Sequence, residues 1–379
     1  MNSTVLTILY TLLDGTCYLS HPFPQGYGTY TRSAFLFYFA YDGSIPFIVC
    51  DMKKHIAILG AGNMGTALAV VVAKAAPVVL WSVEADVVEA INDTAENPRY
   101  LPGVTLEKNV RATGTLADAV IDAQVILVAV PSHVVALVAR SLAPLLNKKQ
   151  IVVNVAKGVD ETTLQPMVTV IRNALPRGMR GRVATLSGPS IANEFASGLP
   201  CAVTVAATTR PVAEAVCRAL RSPRFRAIPS IDVLGTALGG TLKNMYALGL
   251  GMVDGLQLGM NAKAAMLTIA LQELRLLFQA LGAKPESAFV LSGIGDLVVT
   301  GMSEHSRNRR FGEEICLDAS CRIKMKDPAQ TIEGVKAVAA VAPFAHKKKL
   351  HLPLLFTIER VLFRNEDPKK ALDAFFAHL

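Results

Sequence analysis

The feature that most constrains this chain is Gly60-Ala61-Gly62-Asn63-Met64-Gly65, because of what stands on either side of it. The apolar run Ile56-Ala57-Ile58-Leu59 leads into it, and a stretch of helical character from Thr66 to Ala75 follows. Strand, GxGxxG and helix in that order make a dinucleotide-binding turn. The first glycine permits a tight turn, the second lets backbone approach a pyrophosphate, and the third lets the helix pack close to the strand. The helix N-terminus then offers N–H groups and the positive end of its dipole to the phosphates. Gly60, Gly62 and Gly65 are therefore candidate cofactor contacts.

The second strand, Val78 to Trp81, ends about twenty residues after the first glycine, where an acidic side chain would take the ribose hydroxyls. Ser82, Val83, Glu84, Ala85 and Asp86 follow it. Glu84 could serve NAD but is displaced from the strand end, and no Arg or Lys in this segment stands ready for a 2′-phosphate. The choice between NAD and NADP stays open. Two later runs end in Pro131-Ser132-His133 (from Val125) and Ala156-Lys157-Gly158 (from Ile151), and their carboxyl ends should open on the ligand crevice of a parallel sheet.

With 379 residues, 51% of them hydrophobic, 18% charged and a mean hydropathy of +0.38, the chain excludes disorder and has the length for two domains. We expect an α/β Rossmann-like dinucleotide domain over 52–231 and an all-α substrate domain over 232–379. Residues 1–51 differ: they hold 11 of 24 aromatics and a single basic residue, Arg32. No positive charge precedes that arginine, as a signal peptide would require. The apolar run from Ala34 to Val49 is broken by Asp42, Gly43 and Pro46 and is short for a membrane span. We expect this segment to be an N-terminal extension upstream of a start at Met52. Six cysteines without a CxxC pair argue against a zinc site and a disulfide framework, and fit a reducing, cytoplasmic setting. The net charge of +8 favours an anionic partner without choosing between nucleic acid and a phosphorylated small molecule.

Several segments carry chemistry. Lys157 follows a buried-type strand, a position equally compatible with a surface lysine. Thr185 to Glu194 reads as a strand end, a Gly-Pro turn and a helix capped by Ser190. From Asp232 to Leu281 the chain is helical and rich in small residues around Gly239-Gly240-Thr241-Leu242-Lys243-Asn244-Met245. Glycine costs helix stability, so close packing or close ligand approach must compensate. A lysine there would be partly desolvated, which lowers its pKa toward the range useful for proton transfer, although lysines on helices more commonly snorkel. Asp296 stands in Ser292-Gly293-Ile294-Gly295-Asp296, where a turn aspartate is the ordinary reading. Ser306-Arg307-Asn308-Arg309-Arg310 offers bidentate and neutral donors to a phosphate, and lacks the aromatic interleaving of a single-strand binder.

Taken in order from about Lys53 to the end, these segments resemble the NAD(P)-dependent glycerol-3-phosphate dehydrogenases of the bacterial, cytosolic type. The match comprises Gly60 to Ala67, Asn97 to Gly103, Val130 to His133, Ala156 to Gly158, Ser187 to Ser190, Leu242 to Asn244, Asn261 to Ala265, Gly295 to Leu297 and Ser306 to Gly312. The resemblance implies reduction of dihydroxyacetone phosphate to sn-glycerol 3-phosphate, supplying phospholipid backbones. It implies Lys243 as the general acid/base, Lys157 as a second lysine touching substrate and cofactor, and Asp296 as the carboxylate orienting lysine and substrate, with Thr300 beside it. It further implies a phosphate clamp of Arg307 and Asn308, substrate contacts from Ser306, Gly188 and Ser190, and cofactor contacts from Asn63, Met64, Lys157, Ala192, Arg307 and Glu333. A homodimer with no metal, no nucleic acid and no membrane span completes the expectation, the positive charge being used by Arg307 and the two lysines.

The chain departs from the family pattern at Met64, where an aromatic is usual, at Val83, where NADP-preferring members often carry a basic residue, and at Thr331, next to Glu333 in place of a usual Val. Cys316 to Asp327 lacks the usual glycine-containing turn, leaving its conformation undefined. Two other readings compete. A β-hydroxyacid dehydrogenase-like oxidoreductase would share the fold but need a carboxylate clamp. A non-catalytic nucleotide-binding protein would be expected to have lost Lys157, Lys243 or Asp296.

Overall fold

The computed structural model describes residues 55–326 and 332–379, with a few short strands upstream. The main sheet has eight strands, and its central ones are covered on both faces, which is why β1 (Ile56–Leu59), β6 (Val125–Val128) and β7 (Ile151–Asn154) read as unbroken apolar runs. The chain leaves β1 through α1 (Asn63–Val72) to β2 (Val78–Trp81) and α2 (Ala85–Thr94). It then makes a small hairpin, β3 (Glu96–Asn97) with β4 (Leu101–Thr105), and reaches the sheet edge at β5 (Val110–Thr113). From there α3 (Leu116–Val120) returns it to the other side of β1, where β6, α4 (Ser132–Leu142), β7, α5 (Met167–Ala174) and β8 (Val183–Ser187) follow.

With β9 (Cys201–Ala207) and β10 (Phe225–Ser230) the sheet is complete, in the order β10-β9-β8-β7-β6-β1-β2-β5. Six strands are parallel as expected, but β9 runs antiparallel to β8, and β10 pairs parallel to β9. Strand order reverses beside β1, and a ligand crevice belongs at the carboxyl ends at that switch point. Between the last strands lie α6 (Ala192–Ala196) and α7 (Arg210–Ala219). The dinucleotide helix begins at Asn63, three residues before the expected Thr66, because Gly62 is extended and serves as its N-cap. Ser190 does not cap α6. Ile191 occupies the N-cap, and the Ser190 hydroxyl turns back to donate to the Gly188 carbonyl at 3.0 Å.

Among the described residues after 231, every α or β element is helical. Helix α8 (Val233–Gly255) opens on Asp232, whose carboxylate accepts from the Gly235 N–H at 3.0 Å, and is buried on all sides from Gly235 to Val253. Its glycines are there for close packing. A Cβ at Gly239 would lie 2.3 Å from the Ser292 carbonyl, and one at Gly251 would lie 1.9 Å from the Arg309 carbonyl. Around α8 pack α9 (Gly259–Ala280), α10 (Asp296–Met302), α11 (Arg307–Leu317), α12 (Glu333–Lys347), α13 (Pro353–Phe363) and α14 (Pro368–Ala377). Buried Glu273 of α9 ties three of them together. It accepts from the Leu354 and Leu355 N–H groups at the start of α13 and from the Tyr246 hydroxyl of α8. The stretch after Cys316 finishes α11 and then forms a 3-10 helix over Ala319–Lys326, while Thr331 lies outside the described residues.

Residues 54–379 form one compact unit and residues 1–53 another. The described elements of the latter are two antiparallel pairs, Leu9–Tyr10 with Cys17–Tyr18 and Phe35–Phe37 with Ile48–Cys50. The rest of the expected N-terminal extension lies outside the described residues. No helix among the described residues is long and apolar enough to cross a membrane.

Candidate active site

The glycine turn has the shape a pyrophosphate needs. Gly60 adopts φ +110°, and a Cβ there would meet the Ala129 carbonyl at 2.7 Å; at Gly65 it would meet the Gly60 carbonyl at 1.9 Å. At Gly62 the same construction meets no protein atom within 4 Å, so the backbone is open on the ligand side. This is a cradle that fits a dinucleotide. Asn63 is committed to holding it: its amide donates to the Tyr100 carbonyl and to Asn193 Oδ1, both at 2.8 Å. Met64 lines the crevice beside it.

Beyond β2, Glu84 accepts from the Tyr100 hydroxyl at 2.9 Å and pairs with Arg99 Nη1 at 3.1 Å; Arg99 also reaches Asp86 at 3.2 Å. The residues directly after the strand, Ser82 to Asp86, include no cation. The chain supplies one from fifteen residues away, because the turn before β4 folds Arg99 back over α2's first turn.

The centre of the crevice is a lysine pair sharing one carboxylate. Lys157, half-buried after β7, donates from Nζ to Asp296 Oδ2 at 2.8 Å. Lys243, buried in the middle of α8, donates to the other oxygen, Asp296 Oδ1, and to the Thr300 hydroxyl. Asp296 and Thr300 are one turn apart on α10, so a single short helix presents both acceptors, and a π-type turn over Leu291–Gly295 sets its entry. Burial lowers the Lys243 pKa to about 7 against the opposing pull of Asp296, and the neighbouring Lys157 ammonium depresses it further. For Lys157, burial also acts downward, but Asp296 outweighs it and the net shift is upward. Two ammonium groups and one carboxylate leave Lys243 as the one that readily exchanges its proton.

A second network surrounds this pair. Asn244 donates to Glu333 Oε2 at 3.0 Å, Asn308 donates to Asn244 Oδ1 at 3.0 Å, and the Gly334 N–H donates to Asn308 Oδ1 at 2.8 Å. One N–H of the Asn308 amide remains for a ligand. Burial raises the Glu333 carboxyl's pKa, opposed by Lys157, Arg307 and Lys243. Helix α11 begins at Arg307 with Ser306 as its cap, the hydroxyl accepting from the Arg309 N–H at 3.2 Å. The start of α11, with its free first-turn N–H groups and the positive end of its dipole, and the residues Arg307 and Asn308 all belong to the crevice lining, a set of donors suited to an anion. Lys263 and Arg309 both pair with Asp254, which fastens α11 to α8 and α9.

The crevice thus gathers Asn63, Met64, Lys157, Ser190, Ala192, Lys243, Asp296, Thr300, Ser306, Arg307, Asn308 and Glu333. Gly188 stays behind the crevice wall, at φ +142° against Val203, as the turn that aims Ser190 and Ala192. Asn193, Asn244, Ser303, His305 and Arg310 also line it and had no assigned role in the sequence reading.

Two family models match the chain: the N-terminal part of NAD-dependent glycerol-3-phosphate dehydrogenase over residues 55–213 and its C-terminal part over 232–373. The chain belongs to that family. It is 40% identical over 323 residues to glycerol-3-phosphate dehydrogenase [NAD(P)+] of Stenotrophomonas maltophilia, covering 85% of this chain and 94% of the relative. To the enzyme of the same name from Moorella thermoacetica it is 42% identical over 316 residues, covering 83% and 93%. The crystal structure of glycerol-3-phosphate dehydrogenase from Coxiella burnetii superposes with a TM-score of 0.76 at 34% identity, covering 85% of this chain and 99% of that one. D-mandelate dehydrogenase shares the fold alone, at TM-score 0.54 and 13% identity. The family assignment, the NAD(P)-dependent oxidoreductase class and the Rossmann-like fold with a helical second region all agree with the sequence reading.

Proposed function

We propose that this chain transfers a hydride between NAD(P)H and dihydroxyacetone phosphate, giving sn-glycerol 3-phosphate. The observation that carries the reading is the buried Lys243–Asp296–Lys157 cluster standing beside the anion position at the start of α11. The bound nicotinamide supplies the hydride. The chain's own residues do the rest: Arg307, Asn308 and the α11 N-terminus hold the phosphate, and Lys157 and Asp296 orient the oxygen-bearing end. The Lys243 ammonium hydrogen-bonds the carbonyl oxygen and yields its proton as negative charge develops there. A lysine pKa near 7 suits donation in one direction and acceptance in the reverse. Ser190, Ser306, Thr300 and the Gly188 turn complete the substrate side, and the Gly60–Gly65 turn, Met64, Ala192 and Glu333 the cofactor side.

On the adenosine side, Glu84 offers an acceptor to ribose hydroxyls while Arg99 offers a cation to a 2′-phosphate. The reading is therefore use of both coenzymes. Domains of 52–231 and 232–379, a cytoplasmic setting and a homodimer belong to the same proposal, supported by the family resemblance; a monomeric mass by light scattering would remove the dimer. The decisive assay follows loss of reduced-nicotinamide absorbance with dihydroxyacetone phosphate and either coenzyme, and no loss with both would defeat the assignment.

A further inference from the structure

Most of the chain's positive charge lies outside the catalytic crevice. Residues 140–226 carry thirteen basic side chains, Lys157 of the crevice among them, against four acidic ones, a surplus of nine in a chain whose total is +8. Among the described residues, Lys157, Lys243, Arg307 and Arg310 are the lysines and arginines that line the crevice, and the rest of the surplus does not lie there. Instead, the amino ends of three adjacent parallel strands, β6, β7 and β8, open on a shallow groove of about 960 Å³ at the opposite end of the sheet. Lys148, Lys149, Arg182 and Arg218 line it, with Asp122 as the one carboxylate among the lining residues. The 3-10 segment Arg177–Arg182 adds Arg177 and Arg180 at its rim: Gly178 of that segment lies against the Lys148 side chain, 3.6 Å from Cε to where a Cβ would stand. None of these six cations pairs with a carboxylate among the described residues.

We propose that this basic groove is a docking surface for an anionic lipid bilayer, separate from the catalytic crevice. Charge complementarity requires an extended anion, since one small phosphate cannot meet cations spread over three strand ends and α7. The surroundings choose the bilayer over nucleic acid. The aromatics within 140–226, Phe195 and Phe225, are both buried, so no base-stacking platform is presented. Ile121, 59% exposed, and Leu145, 39% exposed, are close neighbours in the chain of the groove residues Asp122 and Asn147. Exposed aliphatics beside lysines gain by entering the headgroup boundary, whereas a phosphodiester backbone offers them nothing. The four-residue strands β6 and β7 place about 13 Å of sheet between groove and crevice, so a docked enzyme keeps its active site open to the aqueous side.

The test is sedimentation of the full-length chain with vesicles of phosphatidylcholine and phosphatidylserine, against vesicles of phosphatidylcholine alone. Binding is expected only to the anionic vesicles and should fall steeply with added salt. Joint substitution Lys148→Glu, Lys149→Glu and Arg218→Glu should weaken it by about 100-fold, the combined contribution of three basic residues near an anionic surface. The turnover of the same sample should stay unchanged. The triple Gln variant serves as the milder form if charge reversal lowers the yield of folded protein, and it should show the same loss in smaller measure. Absence of binding by the unaltered chain to anionic vesicles at low salt, or binding by the folded variants equal to that of the unaltered chain, overturns the proposal. Stronger retention of double-stranded RNA than of the vesicles, lost in the same variants, also overturns it and reassigns the surface to nucleic acid.

Discussion

The two ends of strands β7 and β8 carry positive charge in opposite ways. At the carboxyl ends, Lys157 and Lys243 are withdrawn from water and held on Asp296, with Thr300 completing the second lysine's partners. At the amino ends, Lys148, Lys149, Arg177, Arg180 and Arg218 are exposed. The difference teaches what each arrangement is good for. A buried cation with fixed partners has a displaced pKa and a defined position, which a proton transfer needs. An exposed one keeps its conformational freedom, which suits a diffuse anionic surface.

The strongest way to break this comparison is Lys243→Ala. Turnover should fall by about 10²–10⁴-fold with loss of the general acid, while cofactor binding and any vesicle binding persist; retained turnover would place the proton source elsewhere. Next, Arg307→Ala should raise the Michaelis constant for dihydroxyacetone phosphate by the loss of charge-assisted hydrogen bonds, about 1.5–3 kcal/mol. An unchanged constant would move the phosphate away from the start of α11.

The pH profile sharpens the role of burial. With the Lys243 pKa near 7, reduction needs the protonated form and should decline as pH rises through about 7, while oxidation should rise over the same interval. Because Asp296 holds that pKa up, Asp296→Asn should shift both limbs to lower pH, and a profile that stays in place would deny the coupling. A smaller effect is expected at Arg99, whose side chain is 53% exposed. Arg99→Ala should weaken NADPH more than NADH by about 0.2–1 kcal/mol, the ordinary size of an exposed charge pair. Smallest of all is the groove variant's effect on catalysis, expected to be nil; a changed kcat/KM would show that the two ends are coupled.

Much of this was legible because the information is local. The Gly60–Gly65 turn and the apolar strands each depend on neighbours within a few residues. Asn244 was invisible in its role, since its partners Asn308 and Glu333 lie 64 and 89 residues away. Ser190 misled for the complementary reason. Its place before a helix satisfies the capping pattern, yet the chain starts α6 one residue later, so the hydroxyl finds the Gly188 carbonyl instead.

The sequence by itself determined the order of elements, the dinucleotide turn and the identity of the groups available for chemistry, because periodicity, glycine placement and residue type are properties of short segments. The tertiary structure decided which charges meet. It placed Lys157 and Lys243, 86 positions apart, on one aspartate, brought Arg99 onto Glu84, and left Lys148, Lys149, Arg182 and Arg218 at the far end of the sheet without carboxylate partners among the described residues. Electrostatic energy depends on distance and burial, and neither is a function of separation along the chain.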